Sequence, residues 1–141
     1  MKRIIYISSA TKYLSIEEVE SLMLKNREKN AINGITGVLL YADGDFFQVI
    51  EGPNIKLNKL FQNIQKDSRH RGILTMANIE IKEKHFPNWN MGFYNSTYEK
   101  LSKINNYETI NKQCLSNFDD KKCLALIDSF ISSHQSDFVF V

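Results

Sequence analysis

The sequence predicts one α+β domain in which two amphipathic helices cover one face of a β-sheet. Three observations support this fold class. The 141 residues are 43% hydrophobic and 24% charged, a composition typical of a single globular domain. Short β-branched runs alternate with two helical stripes through the first two thirds of the chain. An Asp-Gly dipeptide joins the second and third runs, as in a tight hairpin.

The first strand and the first helix lie in the amino-terminal part of the chain. Arg3 to Ser8 is a β-branched and aromatic run that predicts a strand. Ser15 and Glu18 have the spacing of a capping box, so a helix should begin there and extend to about Lys29. Its apolar stripe consists of Ile16, Val19, Leu22, Met23 and, in the same register, Asn26.

A hairpin and a second helix follow. Asn33-Gly34 breaks the first helix, and two apolar runs, 35–41 and 46–50, are joined through Asp43-Gly44. These turn residues suit the positive φ angles of a two-residue hairpin, so the two runs should be antiparallel neighbours. The second helix should begin at Gly52-Pro53-Asn54 and end near Asp67. Its apolar stripe is Leu57, Leu60, Phe61 and Ile64.

Two further strands complete the predicted sheet. Residues 73–81 alternate imperfectly, which indicates a strand with a bulge. Trp89, Met91 and Phe93 alternate after Pro87, so they predict a short fifth strand with all three side chains on one face. The resulting order, βαββαβ with an extra strand, is that of a ferredoxin-like sandwich, whose second sheet face needs a cover.

The chain divides by composition near residue 94. Residues 1–94 hold the sandwich, whereas residues 95–141 are rich in Asn and Ser and should fold back as helices over the open sheet face. One helical stripe is clear there, formed by Cys123, Ile127, Phe130 and Ile131. The last four residues, 138–141, either pack or add a strand at an edge.

Several functional classes find no support in the composition. The net charge is +2, with basic and acidic residues intermixed, so nucleic acid is a poor candidate partner. Neither a secretory signal nor an apolar run of about 18 residues is present, which argues against a membrane protein and favours the cytoplasm. Cys114 and Cys123 fit reduced packing residues, and His70, His85 and His134 lack metal-site spacing.

Two polar side chains stand out within apolar strands. Gln48 lies between Phe47 and Val49 in the predicted third strand. An unpaired buried amide costs roughly 1–3 kcal/mol per group, so Gln48 needs hydrogen-bond partners. Tyr6 in the first strand similarly offers a phenolic hydroxyl from an apolar position. A structural hydrogen bond to the backbone is the ordinary explanation for the glutamine, and a core position for the tyrosine.

The other polar or aromatic candidates also have ordinary explanations. Asn30 and Asn33 follow the first helix, where helix capping or turn chemistry accounts for them. Asp67, Arg69 and His70 follow the second helix, as a solvated ion cluster would. Trp89 and Met91 suit sheet packing.

The order of these residues is more specific than any one of them. The blocks are Tyr6-Ile7-Ser8, Asn30, Gly34-Ile35-Thr36-Gly37-Val38-Leu39, Phe46-Phe47-Gln48-Val49-Ile50-Glu51-Gly52, Asp67-Ser68-Arg69-His70 and Phe86-Pro87-Asn88-Trp89-Asn90-Met91. In order and spacing, residues 2–94 closely resemble the BLUF family of blue-light sensors that use a flavin. The chain departs from the family mildly, with Asn26 at a common serine position and Val38 and Ile50 in place of leucines.

The resemblance implies a flavin held between the two helices, edge-on to the sheet. FAD is the expected form, with FMN or riboflavin as alternatives. By this resemblance, Leu22 and Ile64 are the aliphatic pair on either side of the ring, and Asn30 is the amide at its pyrimidine edge. Asp67, Arg69 and His70 form a polar cluster near that edge and the ribityl chain. Arg69 and Lys29 are the phosphate contacts, and Asn26 is a further contact.

The resemblance also implies a photochemical switch made by Tyr6 and Gln48. In the family the excited flavin takes an electron and then a proton from the tyrosine, through the glutamine. When the radical pair recombines, the glutamine amide is left rotated or tautomerised. Trp89 and Met91 match the positions that pass this change to the fifth strand and the carboxy-terminal segment. The signal should then leave through contacts with a separate protein or with further copies of the chain.

Two other classes remain as alternatives. One is a protein-interaction module on the same scaffold that does not respond to light, against which the full set of Tyr6, Gln48 and Asn30 argues. The other is a small enzyme such as an acylphosphatase-type hydrolase. It would need a glycine-rich phosphate loop with an arginine near the first strand, and residues 8–12 (Ser-Ser-Ala-Thr-Lys) supply neither. We therefore expect a sensor and not an enzyme.

Overall fold

The computed structural model describes residues 1–104 and 110–134, and these form ten elements. The strands are β1 (Lys2–Ala10), β2 (Thr36–Ala42), β3 (Asp45–Gly52), β4 (His70–Glu80) and β5 (Asn90–Ser96). The helices are α1 (Ile16–Asn33), α2 (Asn54–Lys66), α3 (Tyr98–Ile104), α4 (Lys112–Leu115) and α5 (Asp120–His134).

The five strands form one mixed sheet in the order β4-β1-β3-β2-β5. The β1–β3, β1–β4 and β2–β3 pairs are antiparallel, whereas β2 and β5 are parallel. This arrangement confirms the predicted α+β ferredoxin-like fold. The predicted bulge is also present, because Ile5 pairs with Ala77 whereas Tyr6 pairs with Thr75, which leaves Met76 as an extra residue in β4.

Helix α1 begins and ends where local chemistry requires. Ser15 Oγ accepts from the Glu18 N–H at 3.1 Å and the Glu18 carboxylate accepts from the Ser15 N–H, so the predicted capping box is formed. The helix continues past the predicted end at Lys29 because a left-handed residue is first reached at Gly34, φ 69°. Ile16, placed in the apolar stripe, is 48% exposed because it lies in the first turn.

The β2–β3 hairpin sets which side chains face each side of the sheet. Asp43 and Gly44 have φ values of 51° and 86°, so the predicted turn is confirmed. Along β3, Phe46, Gln48 and Ile50 alternate with a second set that faces the opposite side. The second set comprises Asp45, Phe47, Val49 and Glu51.

A separate hydrophobic core fills each side of the sheet. The first lies under α1 and α2 and includes Ile4, Met23 and Leu57. The second lies under α3, α4 and α5 and includes Ile5 and Phe130. The carboxy-terminal helices therefore cover the face that the sandwich leaves open, as expected. The division at residue 94 stays a prediction, and the strand or packing role proposed for 138–141 concerns residues outside those described.

None of the helices within residues 1–104 and 110–134 combines the length and apolar character needed to cross a bilayer.

Candidate functional site

A pocket opens between α1 and α2 above the centre of the sheet. It brings together all the predicted flavin-contact residues except Lys29, which is exposed and does not line it. The lining residues are Tyr6, Leu22, Met23, Asn26, Asn30, Leu39, Phe46, Gln48, Leu60, Ile64, Asp67, Arg69 and His70. Side chains separated by up to 64 positions in sequence therefore share one cleft.

The pocket has apolar walls and a polar floor. Leu22 comes from α1 and Ile64 from α2, and both are half-buried side chains of the stripes that also fill the core. The floor is made by β1, β2 and β3, which contribute Tyr6, Leu39 and Gln48. Such a cleft, mostly apolar with a few polar groups, is suited to a flat aromatic ligand.

The polar floor is built on a cross-strand pair. Tyr6 and Gln48 are register partners in β1 and β3, and the Tyr6 hydroxyl donates to Gln48 Oε1. On its other side, Gln48 Nε2 donates to the sulfur of Met91 at 3.3 Å. Burial, with a further contribution from the Asp67 carboxylate, raises the pKa of Tyr6 above its usual range. The phenol is therefore held neutral, and it is oriented toward an amide that can both accept and donate.

Asn30 lies at the end of the pocket near β5. Its side chain is only 4% exposed, and its Nδ2 donates to the Asn90 carbonyl at 3.3 Å. Its own carbonyl accepts from the Ile35 N–H at 2.9 Å, which is the helix-end chemistry that the sequence also allowed. Asn26 is exposed at the rim of the same pocket. Asn30 therefore tethers α1 to the first residue of β5.

An ion pair and a histidine close the α2 end of the pocket. Asp67 and Arg69 form a part-exposed ion pair with contacts of 2.5–3.0 Å, and the Arg69 guanidinium lowers the pKa of the Asp67 carboxyl. His70 has a different role, because its ring bridges two elements. Its Nδ1 lies 2.7 Å from the buried Ser8 hydroxyl, and its Nε2 lies 2.5 Å from the Ile64 carbonyl. Since a carbonyl can only accept, Nε2 carries the proton.

The structure corrects the prediction that Trp89 and Met91 lie on one face. Asn90 pairs with Gly37 and Gly92 with Val38, so Met91 is an extra residue in β5, with φ 139°. Such a bulge adds one residue to the strand, so residues on either side of it no longer alternate regularly. Trp89 and Met91, two positions apart, therefore face opposite sides of the sheet. Met91 consequently contacts Gln48 in the core under α1 and α2, whereas Trp89 packs against the core under the carboxy-terminal helices.

Trp89 is held in place on its own side of the sheet. Its ring stacks on Phe86, with centroids 6.2 Å apart and planes inclined by 24°. Its carbonyl accepts from the Gly37 N–H at 2.8 Å. A Cβ at Gly92 would lie 2.4 Å from the indole ring, so only glycine fits there. Trp89 and Met91 therefore flank the same strand end without sharing a surface.

The sequence did not single out four of the lining residues. Met23 and Leu60 belong to the predicted helical stripes, and their spacing to Leu22 and Ile64 is the signal that could have found them. Leu39 and Phe46 lie on strands, and their place in the pocket follows from the sheet register, in which Leu39 pairs with Gln48.

Comparison with known proteins gives concordant matches. The sequence model of BLUF, "sensors of blue-light using FAD", matches residues 1–92. Over 82 residues, 58% of this chain, the sequence is 37% identical to photoactivated adenylate cyclase subunit beta of Euglena longa. That stretch is 10% of the Euglena protein, so the chain spans about a tenth of the length of such curated relatives.

Solved structures agree with the sequence matches. The ground state of BlsA superposes with a TM-score of 0.75 at 27% identity, covering 90% of this chain and 85% of BlsA. The dark state of BlrB, a BLUF protein, superposes with a TM-score of 0.72 at 26% identity, covering 94% of this chain and 96% of BlrB.

Proposed function

The chain belongs to the BLUF family of sensors of blue light using FAD, and we propose that it binds one flavin between α1 and α2 and switches through Tyr6 and Gln48. A bound flavin would supply blue-light absorption and an acceptor for one electron. FAD is the proposed form, following the family description, and FMN or riboflavin would present the same ring system to the pocket.

The residues present fit such a group. Leu22 and Ile64 offer apolar surface from opposite helices, as the two faces of a planar ring require. Asn30 and Gln48 offer amides for the polar edge of the ring. Asp67 and Arg69 lie at the pocket end on the α2 side, where Arg69 can meet a ribityl or phosphate oxygen. Lys29 is proposed only as a contact for a phosphate that extends out of the pocket, because it is exposed and outside the lining.

The Tyr6–Gln48 hydrogen bond is the observation that carries the proposal. Under blue light Tyr6 loses one electron, and its hydroxyl proton passes to Gln48, which already accepts from that hydroxyl. A phenol that loses an electron becomes strongly acidic, and an amide oxygen can take the proton. When electron and proton return to Tyr6, the Gln48 amide is left rotated or tautomerised. Net hydrogen-bond changes of about 0.5–1.5 kcal/mol are enough to bias a strand without remodelling the fold.

The output is proposed to be a change in protein contacts. The BLUF module is a sensor and is not itself catalytic, and the Euglena relative is described as an adenylate cyclase subunit. We propose that this chain likewise controls an effector, either a separate protein or further copies of itself, and that it acts in the cytoplasm. Neither nucleic acid nor a membrane is proposed as a partner. The second candidate is the light-insensitive interaction module. No contact of the pocket residues specifically favours it over the light sensor.

The test is a flavin spectrum before and after blue light. Purified protein is mixed with FAD, FMN or riboflavin in separate samples, and unbound flavin is removed by gel filtration. The protein fraction should then show flavin absorption, and illumination should shift it reversibly to the red. Chromatography of the released pigment identifies the flavin. A protein that stays colourless in all samples would refute the proposal, and bound flavin without any shift would favour the light-insensitive module.

A further inference from the structure

Strands β1 and β3 carry two polar cross-strand pairs on opposite faces of the sheet. Tyr6 pairs with Gln48 on the pocket face, and Arg3 pairs with Glu51 three residues away. Because side chains alternate along a strand, an offset of three residues places the second pair on the reverse face. The strands that hold the proposed switch therefore also hold an ion pair against the carboxy-terminal helices.

Glu51 is fully buried, and it accepts three hydrogen bonds. Its side chain has 0% exposure and forms an ion pair with Arg3 at 3.0 Å. Oε2 also accepts from the His85 N–H at 2.9 Å, and Oε1 accepts from the Phe86 N–H at 2.7 Å. Glu51 thus fixes the segment that leads to Trp89, because Phe86 stacks on that indole.

Arg3 extends this contact to helix α5. Its Nε and Nη2 bind the two carboxylate oxygens of Asp120 at 2.8 and 2.7 Å, while its Nη1 binds Glu51. Asp120 is the first residue of α5, so the bidentate pair fastens the start of that helix. His85 makes a second attachment through Asp128, at 2.8 Å. One continuous set of contacts therefore joins β3, the segment before β5 and α5.

We propose that a change in the hydrogen bonds of Gln48 is transmitted to α5 through the contacts of Arg3 with Glu51 and Asp120, on the sheet face opposite the pocket. This route is additional to the contacts made by Met91 and Trp89. This inference rests on the proposed photochemical function. A new hydrogen-bond arrangement at Gln48 alters how β3 sits against β1, and the neighbouring pair on the same strands responds. Both carboxylate oxygens of Glu51 are held, Oε2 by Arg3 and His85 and Oε1 by Phe86, so a shift of β3 changes the length or angle of at least one of these three bonds. Hydrogen bonds between buried charged groups depend on direction, so they resist a movement of β3 against β1. Apolar contacts, which have no preferred direction, would accommodate the same movement.

Hydrogen exchange of α5, recorded in darkness and under blue light, tests the proposal on the full chain with bound flavin. Asp120→Asn keeps the shape of the side chain and removes its charge at a position that is 20% exposed. Glu99→Gln is the matched control, because it removes a carboxylate from an exposed ion pair with Lys103. The flavin red shift is recorded in each sample as the readout of the switch itself.

In the wild type and in Glu99→Gln, light should change exchange in the first turns of α5 by on the order of fivefold, the low end of typical coupling. In Asp120→Asn the red shift should persist while this light-dependent difference is lost. Arg3→Lys, which keeps the charge but not the bidentate geometry, should behave in the same way.

Two outcomes would overturn the proposal while leaving the photochemistry intact. One is a wild type that shifts to the red without any change in α5. The other is an Asp120→Asn variant whose α5 exchanges faster in darkness and light alike but keeps the full light-dependent difference, as a purely structural ion pair would give. Absence of the red shift in the wild type would instead refute the proposed function, and this inference with it.

Discussion

Gln48 and Met91 are joined by a hydrogen bond in which the amide Nε2 donates to the thioether sulfur over 3.3 Å. The sulfur is a weak acceptor, whereas the amide oxygen accepts from the Tyr6 hydroxyl. Met91 reaches this position only through the β5 bulge, with a φ of 139° that non-glycine residues rarely adopt. The amide N–H of Gln48 thus donates only a weak bond to a strained residue, so it can exchange partners at small cost.

Met91→Leu should slow the return of the illuminated state to the dark state. Leucine keeps the apolar volume but removes the acceptor, so the observed amide orientation loses roughly 0.5–1.5 kcal/mol, which corresponds to at most about tenfold in rate. The measurement is the decay of the red-shifted absorption in darkness. Met76→Leu is the control, since Met76 packs on the other side of the sheet, and it should recover at the wild-type rate. Faster recovery in Met91→Leu would contradict a stabilising role of the sulfur.

Gln48→Leu and Tyr6→Phe should each retain the flavin and lose the reversible red shift. Gln48→Leu removes the amide and Tyr6→Phe removes the hydroxyl of the proposed proton path, and each new side chain is apolar and similar in size to the one it replaces. Absorption difference spectra before and after blue light measure the effect. Tyr41→Phe is the matched control, because Tyr41 is buried in the same core but contacts Phe46 instead of Gln48. A normal shift in either test variant would disprove the Tyr6–Gln48 mechanism even within the same family.

The parts of the structure set by local sequence were predicted correctly. The capping box at Ser15 and the Asp43-Gly44 turn depend on residues within a few positions of one another, and both are formed. The helical stripes also placed Leu22 and Ile64 on surfaces that meet at the pocket. Periodicity gives the inward face of each helix, and the order of elements then brings these faces together.

The parts that depend on long-range register were not predictable in the same way. The reversal between Trp89 and Met91 comes from one inserted residue in the pairing of β5 with β2, which the alternating sequence does not reveal. The link from Glu51 through Arg3 to Asp120 spans 117 positions and requires α5 to be docked. Lys29 was assigned from the family pattern alone, and its exposure follows from the rotation of α1 about its axis.

Ile64→Ala should weaken flavin binding by roughly 1–2 kcal/mol, or about 5–30-fold in Kd, because it removes apolar surface from one wall of the pocket. Titration of the flavin-free protein with FAD, followed by flavin fluorescence, measures this loss. Ile55→Ala makes the same chemical change on the same helix at a side chain that is 83% exposed, and its affinity should equal that of the wild type. Equal affinity for both variants would remove Ile64 from the proposed site.

Cys123 should make the fold sensitive to alkaline pH. Its side chain lies on the buried face of α5, and burial, assisted by Asp120 and Asp119, raises the pKa of the thiol from 9.0 to about 12. In the unfolded chain the thiol ionises near its ordinary pKa, so the unfolded state loses a proton that the folded state keeps. A raised folded-state pKa thus contributes stability that is fully present below pH 9 and is lost as the pH rises toward 12. Tyr6 and Tyr98, whose pKa values burial also raises, act in the same direction.

Urea midpoints measured between pH 8 and about pH 11 should therefore fall steadily in the wild type and less steeply in Cys123→Ala. The alanine variant starts lower at pH 8, because the smaller side chain leaves a cavity, but it lacks the thiol whose ionisation favours unfolding. Cys114→Ala is the control and should keep the wild-type slope, since it leaves the buried thiol in place. The difference in slope, and not the difference in starting stability, identifies the contribution of Cys123, so parallel curves for wild type and Cys123→Ala would contradict it.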